Sequence, residues 1–328
     1  MKAPAPFRVP GAMTSATNPL VAFGAGKVIL LGEHSVVYGY PAIAGPLSIG
    51  VVARGGPSRS CVLDVPVTAD AAQKRMMRKA FARAAKLVGE PRVKVTLEPQ
   101  LPLSAGLGSS AALAVATSRV LLQAAGQAPT AKATARLAWE MEQEFHGTPS
   151  GVDHTTSAEE KLILYRRVQS PAGVTGRARA LKSPRPVSVV VALAGARSPT
   201  KLTVGALRER QALWPERYKR LFGQVGRLVT EAAQAVEAGD LEGLGDAMNV
   251  NQGLLNALGL SSPALEDMVF RLRSLGALGA KFTGAGGDGG AVIGLFPEPE
   301  PVVARLTRDG VRCFASQLAG PRVQGDNS

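Results

Sequence analysis

The chain has 328 residues, enough for two ordinary domains, each with its own core. Hydrophobic residues make up 45% and charged residues 19%, which excludes a disordered chain, and no run approaches the roughly 18 apolar residues of a membrane span. The formal net charge of +13 leaves nucleic acid, an anionic membrane surface or small anionic substrates as candidate partners.

Residues 1–20 are interrupted by prolines and read as a flexible extension rather than a secretory signal. Cys61 and Cys313 form no CxxC pair, so neither a zinc ribbon nor a disulfide framework is supported, and a reducing, cytoplasmic setting is expected. Residues 21–54 read as strands broken by glycine turns: "KVILL", "PAIAGPL" and "IGVVAR". A basic helix is predicted over 73–90, its lysines and arginines forming a solvated face. With aromatics at only 5%, no basic–aromatic platform for nucleic acid accompanies it. The alternation of Val93, Val95 and Leu97 predicts a half-buried strand over 92–99. A loop of small residues follows, leading into a helix that ends near Ala125, and a second helix is predicted over 129–147. Asp153 is expected on a tight loop. "KLILYRRV" reads as a strand, 169–186 as a turn-rich basic linker and 187–195 as a buried strand. Helical segments over about 206–239, 240–258 and 263–276 lead to a glycine cluster at 283–297.

The chemistry lies in the loops. In "LPLSAGLGSSAALAV", a strand gives way to small residues and then to a helix that starts at the serines. Such a turn presents unpaired N–H groups to an anion, and Gly106 and Gly108 permit close backbone approach. A serine there can coordinate Mg²⁺ beside a phosphate, or simply cap the helix. The loop is not a P-loop, because no lysine precedes the serines, and Ala112 spoils a hydrolase elbow around Ser110. "TGAGGDGGAVIGLFP" contains a GxGxxG pattern, but a short β-leaning run stopped by Pro297 follows it, which rejects a dinucleotide fold in favour of a glycine turn between strands. Lys27, Glu33 and His34 lie close together on strand and turn. Glu140, Glu142 and Glu144 precede Asp153, and helical spacing does not choose between Glu142 and Glu144. The three histidines form no HExxH, so a zinc site is not supported.

"GKVILLGEHSVVYG", "PLSAGLGSSAA", "HGTPSGVDH" and "FTGAGGDGG", in this order, together resemble the motifs of the GHMP small-molecule kinases. The first is closer to members acting on mevalonate than to the sugar kinases, and "NQGLLNALGLSSPALEDM" adds a similar helix pair. The resemblance covers about residues 22–295. It implies an α+β, two-domain fold: an amino-terminal domain like ribosomal protein S5 domain 2 over 21–185, a ferredoxin-like carboxy-terminal domain over 186–320, a flexible tail at 321–328, and a site in the cleft between the domains. The implied reaction is transfer of the ATP γ-phosphoryl group to the mevalonate 5-hydroxyl, with phosphomevalonate or homoserine as alternative acceptors. Neither nucleic-acid binding nor membrane insertion is implied, and homodimerisation is left open.

The resemblance also assigns residues. Ser104, Ala105, Gly106, Leu107, Gly108, Ser109 and Ser110 would cradle the phosphates, with Ser110 and Glu142 on Mg²⁺. Asp153 would take the hydroxyl proton, and Lys27 would keep it ionised and neutralise developing charge. Glu33, His34, Thr200, Gly284, Ala285 and Gly286 would lie on the acceptor side. Ala25, Ser104, Thr148 and Asp288 depart from the usual motifs. A hydrolase built from Ser110, Asp153 and His154 is made awkward by the adjacency of the last two.

Overall fold

A computed structural model describes residues 20–65, 70–101, 106–146, 150–170, 173–195 and 200–321. Residues 1–19 of the extension expected over 1–20, residues 322–328 of the tail expected over 321–328, and Ser104, Ala105 and Thr148 lie outside the described residues, while Leu20 already belongs to the first strand. In chain order the elements are β1 (Leu20–Leu31), a 3-10 turn (Ser35–Tyr38), β2 (Pro41–Pro57), β3 (Val62–Asp64), α1 (Ala71–Leu87), β4 (Val93–Pro99), α2 (Ser109–Ala124), α3 (Ala131–His146), α4 (Val152–Glu159), β5 (Ile163–Ser170), β6 (Gly173–Ala180), β7 (Val187–Ala194), α5 (Thr200–Leu213), α6 (Pro215–Ala238), α7 (Leu241–Ala257), α8 (Pro263–Ser274), β8 (Gly279–Thr283), β9 (Gly290–Leu295), α9 (Glu300–Arg308) and β10 (Cys313–Ala319). Both cysteines are free thiols. Among the described residues no helix is long and apolar enough to cross a membrane.

Internal contacts divide the chain into two compact units. One holds the described residues up to Gly26, of Ile49–Pro102 and of Gly108–Glu159; the other holds Lys27–Ser48, the described part of Leu103–Leu107, and the chain from Glu160 onward.

In the first unit the second half of β2 pairs antiparallel with β4, from Val51 opposite Pro99 to Pro57 opposite Val93, and β3 joins β4 in parallel. Helices α1, α2 and α3 pack on one another, and α4 packs on α2 and α3. Helix α2 is apolar on nearly every side, as a helix enclosed by its neighbours must be. Its alanines let backbone come close: a Cβ on Gly24 of β1 would lie 2.0 Å from the carbonyl oxygen of Ala112. On the basic helix α1, Arg83 donates to Glu140 at 2.6 Å and to Glu144 at 3.3 Å, and Lys79 pairs with Glu144 at 2.8 Å. Two of the cations expected on a solvated face are therefore partnered by α3.

In the second unit β5 pairs with the start of β2 and, over its full length, with β6. The stretch read as a linker is in its central part a strand, β6, whose Arg177 and Arg179 are exposed, the second paired with Glu237. The other sheet has the order β10-β7-β9-β8 with every pairing antiparallel. That order, with helices after β7 and after β9, is the expected ferredoxin-like βαββαβ plan. Its core gathers Val190, Phe222, Leu255, Val269, Leu272, Phe282, Val292 and Leu306. The helical stretch near 206–239 is two helices, because Pro215 restarts the chain as the first residue of α6. α9 and β10 complete the plan beyond the residues that the motifs cover.

Candidate active site

Three of the sequence motifs meet in the second unit. Lys27, near the middle of β1, is almost fully buried; its amide donates to the carbonyl oxygen of Leu107 at 2.9 Å and its ammonium to that of Gly106 at 3.3 Å. The amide of Ile29 donates to Thr283 Oγ1 at 2.8 Å. A Cβ on Gly284 would stand 3.2 Å from the Gly106 carbonyl oxygen, and one on Gly106 would stand 3.5 Å from that of Thr283. Gly106 and Gly284 have φ of 83° and 90°, left-handed values that glycine adopts without a steric penalty. Strand β1, the end of the small-residue loop and the glycine turn after β8 are thus packed backbone to backbone. The glycine cluster joins two strands, as its sequence predicts.

The turn after β1 carries Glu33 and His34. His34 lies at φ 59°, ψ −46°, a conformation that a non-glycine residue holds only where its surroundings over-determine it. Its Nε2 is 3.0 Å from the Ala285 carbonyl oxygen. Burial pulls the imidazole down to about 4, the hydrogen bond to Ala285 opposing that effect. The ring is therefore neutral near pH 7, and because a carbonyl only accepts, Nε2 carries the hydrogen and Nδ1 is left as an acceptor. Glu33 turns inward, its carboxylate meeting the buried ammonium of Lys281 and the amide of Asn251. Lys281 and Asn251 were not identified from the sequence. The "NVNQG" run held the only signal for the second of them: three amide side chains, Asn249, Asn251 and Gln252, close together on one helix, the last two buried. Asn249 and Gln252 of the same run bond the main chain at Leu278, Ala280 and Phe282, clamping the outer edge of β8. Thr200 is the first residue of α5.

The remaining motif residues belong to the first unit. Gly108, at φ 73°, is the N-cap of α2 and brings no side chain to that end. The N-cap position is therefore not Ser109 or Ser110, and both serines open the helix's first turn, where N–H groups favour an anion. The structure also separates the three glutamates of α3. Glu140 and Glu144 are spent on α1, whose Lys79, followed by Arg83, holds the Glu144 carboxyl below its usual range. Glu142 is 1% exposed and faces inward between them. Asp153 lies not on a loop but in the first turn of α4, which the run of threonines and serine disguises. Thr155 and Thr156 return their hydroxyls to the carbonyls of Gly151 and Val152, so these β-branched residues are tolerated in the helix. Arg119 of α2 clamps both ends of this assembly, donating to the carbonyl oxygens of Phe23 at 2.5 Å and Ala158 at 3.0 Å. His154 packs its ring 5.3 Å from that of Trp139, and burial holds it neutral at about 4. An imidazole so enclosed is a packing group, which removes the hydrolase alternative.

Comparison with known proteins identifies the family. Residues 72–160 match the family description "GHMP kinases N terminal domain" and residues 232–311 match "GHMP kinases C terminal". The mevalonate kinase of Thermococcus sibiricus is 32% identical, the match covering 89% of this chain and 98% of the relative. That of Aeropyrum pernix is 35% identical, covering 84% and 88%. The crystal structure of L. major mevalonate kinase in complex with R-mevalonate superposes with a TM-score of 0.78 at 28% identity, covering 97% of this chain and 99% of that one. The chain belongs to the GHMP kinase family.

Proposed function

We infer that this chain is an ATP-dependent kinase that phosphorylates the 5-hydroxyl of (R)-mevalonate, giving 5-phosphomevalonate and ADP. One observation carries the reading: Lys27, Gly106–Leu107 and the Thr283–Gly284 turn, far apart in sequence, are joined by hydrogen bonds and close backbone contact in a chain whose relatives along nearly its whole length are mevalonate kinases. We propose residues 21–185 and 186–320 as the two family domains.

The roles follow from phosphoryl-transfer chemistry, in which positioning and charge stabilisation do most of the work. The first-turn amides of α2 and the loop ending at Gly108 would hold the triphosphate. Asp153 would accept the hydroxyl proton as the alcohol oxygen bonds to the γ-phosphorus and the bond to the β-phosphate oxygen breaks. Lys27 would offset the charge that spreads onto the transferred group. His34, Thr200 and the Gly284–Gly286 turn would line the acceptor side. Ser110 and Glu142, one hydroxyl and one carboxylate, would hold a divalent metal; we assign it as Mg²⁺ because both are hard oxygen donors, and when bound it would supply charge neutralisation at the phosphates.

The test is ADP release from Mg²⁺-ATP with mevalonate, phosphomevalonate, homoserine and galactose. Mevalonate is expected to give the highest kcat/KM. Preference for another acceptor would overturn the substrate while leaving the family intact.

A further inference from the structure

A buried charge cluster lies behind the turn that carries His34. Lys281 is 0% exposed and Glu33 1%. The ammonium of Lys281 has three donors, and three acceptors surround it: Glu33 Oε1, the Phe282 carbonyl oxygen at 2.7 Å and that of Ile29 at 3.4 Å. The other Glu33 oxygen accepts from Asn251 Nδ2 at 3.3 Å. Both carboxylate oxygens are thus engaged inside the protein. Burial lowers the proton affinity of Lys281, and the charge of Glu33 works against this. The backbone is held at the same place. The Val36 amide and Ser35 hydroxyl both bond the Gly32 carbonyl oxygen, closing the turn in which His34 keeps its left-handed conformation.

We propose that Glu33 is not a ligand of the acceptor but an internal counter-ion, and that Lys281 and Asn251 are positioning residues that act through it to hold the His34 turn in its strained, productive form. Helix α7 is part of this device: Asn251 reaches Glu33, while Asn249 and Gln252 fix the strand on which Lys281 stands. The proposal rests on the reading that this turn faces the alcohol.

The charges should then matter only as a pair. Removing either partner leaves a buried ion unopposed, whereas removing both restores a neutral interior. Steady-state kinetics with Mg²⁺-ATP and mevalonate would compare E33Q, K281M, N251A and E33Q/K281M. Either single charge change is expected to raise the mevalonate KM about tenfold or more with the ATP KM within about twofold. N251A should raise it about threefold. The double variant should return to within about threefold of the parent. A folded double variant as impaired as E33Q would overturn the proposal, because a carboxylate that touched the acceptor could not be replaced by deleting its partner.

A second readout does not need turnover. The chain has three histidines, so their ring resonances can be assigned by substitution and followed with pH. His34 should titrate at about 4 in the parent and the double variant, and nearer 6.5 in a folded single variant. A folded double variant whose His34 titrates near 6.5 would overturn the proposal even if both single variants fail to fold. Loss of mevalonate turnover in the parent would sink the functional reading alone, and the titration would still decide this one.

Discussion

The ammonium of Lys27 lies 3.3 Å from the carbonyl oxygen of Gly106, 79 positions later in the chain. Its own amide is bonded to the next carbonyl, that of Leu107. A lysine anchored twice to the backbone at Gly106 and Leu107 is fixed in place, as the role proposed for it in offsetting charge on the transferred group requires. Lys27→Met and Asp153→Asn are each expected to lower kcat about a hundredfold or more with little change in the ATP KM. Single-turnover assays check this, and near-normal turnover of Asp153→Asn would remove Asp153 from the role of base.

Metal dependence should single out one glutamate. Glu142→Gln and Ser110→Ala are expected to raise the Mg²⁺ concentration for half-maximal activity about tenfold or more. Glu144→Gln should leave it unchanged, because that carboxylate already serves Lys79 and Arg83. A Mg²⁺ titration in which Glu144→Gln, and not Glu142→Gln, shifts the midpoint would exchange the two assignments.

Two glycines with similar backbone should respond very differently to a methyl group. Gly286 has φ 70° and its Cβ would fall 2.1 Å from the Leu260 carbonyl oxygen, whereas Gly276 has φ 90° and open space around that position. Gly276→Ala should cost about 1 kcal/mol, the backbone term alone. Gly286→Ala should cost well above about 2 kcal/mol, because backbone must move. Thermal denaturation ranks them, and equal melting temperatures would mean that the glycine turn yields more than its packing suggests.

Acid should weaken the fold through its buried imidazoles. His34 and His154 both sit at about 4 when folded, against 6.5 for an exposed ring, so between those values the unfolded chain binds protons that the folded chain refuses. Stability is fully present above pH 6.5 and declines as the pH falls toward 4, with a slope approaching two protons. Urea midpoints at pH 7, 6 and 5 measure this. His154→Gln should lower the slope by about one proton, and a flat profile in the parent would show that the rings are solvated.

The sequence by itself determined the order of the motifs, the strands around Lys27 and β7, the apolar helix after the serines, and the rejection of a dinucleotide site, since each rests on local periodicity or turn chemistry. Tertiary structure alone decided what depended on partners far along the chain. It separated Glu142 from Glu140 and Glu144 by giving the latter two to α1. It turned the supposed linker into β6 by setting β5 beside it, and placed Asp153 in a helix that Arg119 clamps. It also drew Glu33 inward to Lys281, 248 residues away. A residue's type limits which bonds it can form, but the cost of burying a charge is offset only by the particular neighbour that the fold brings to it.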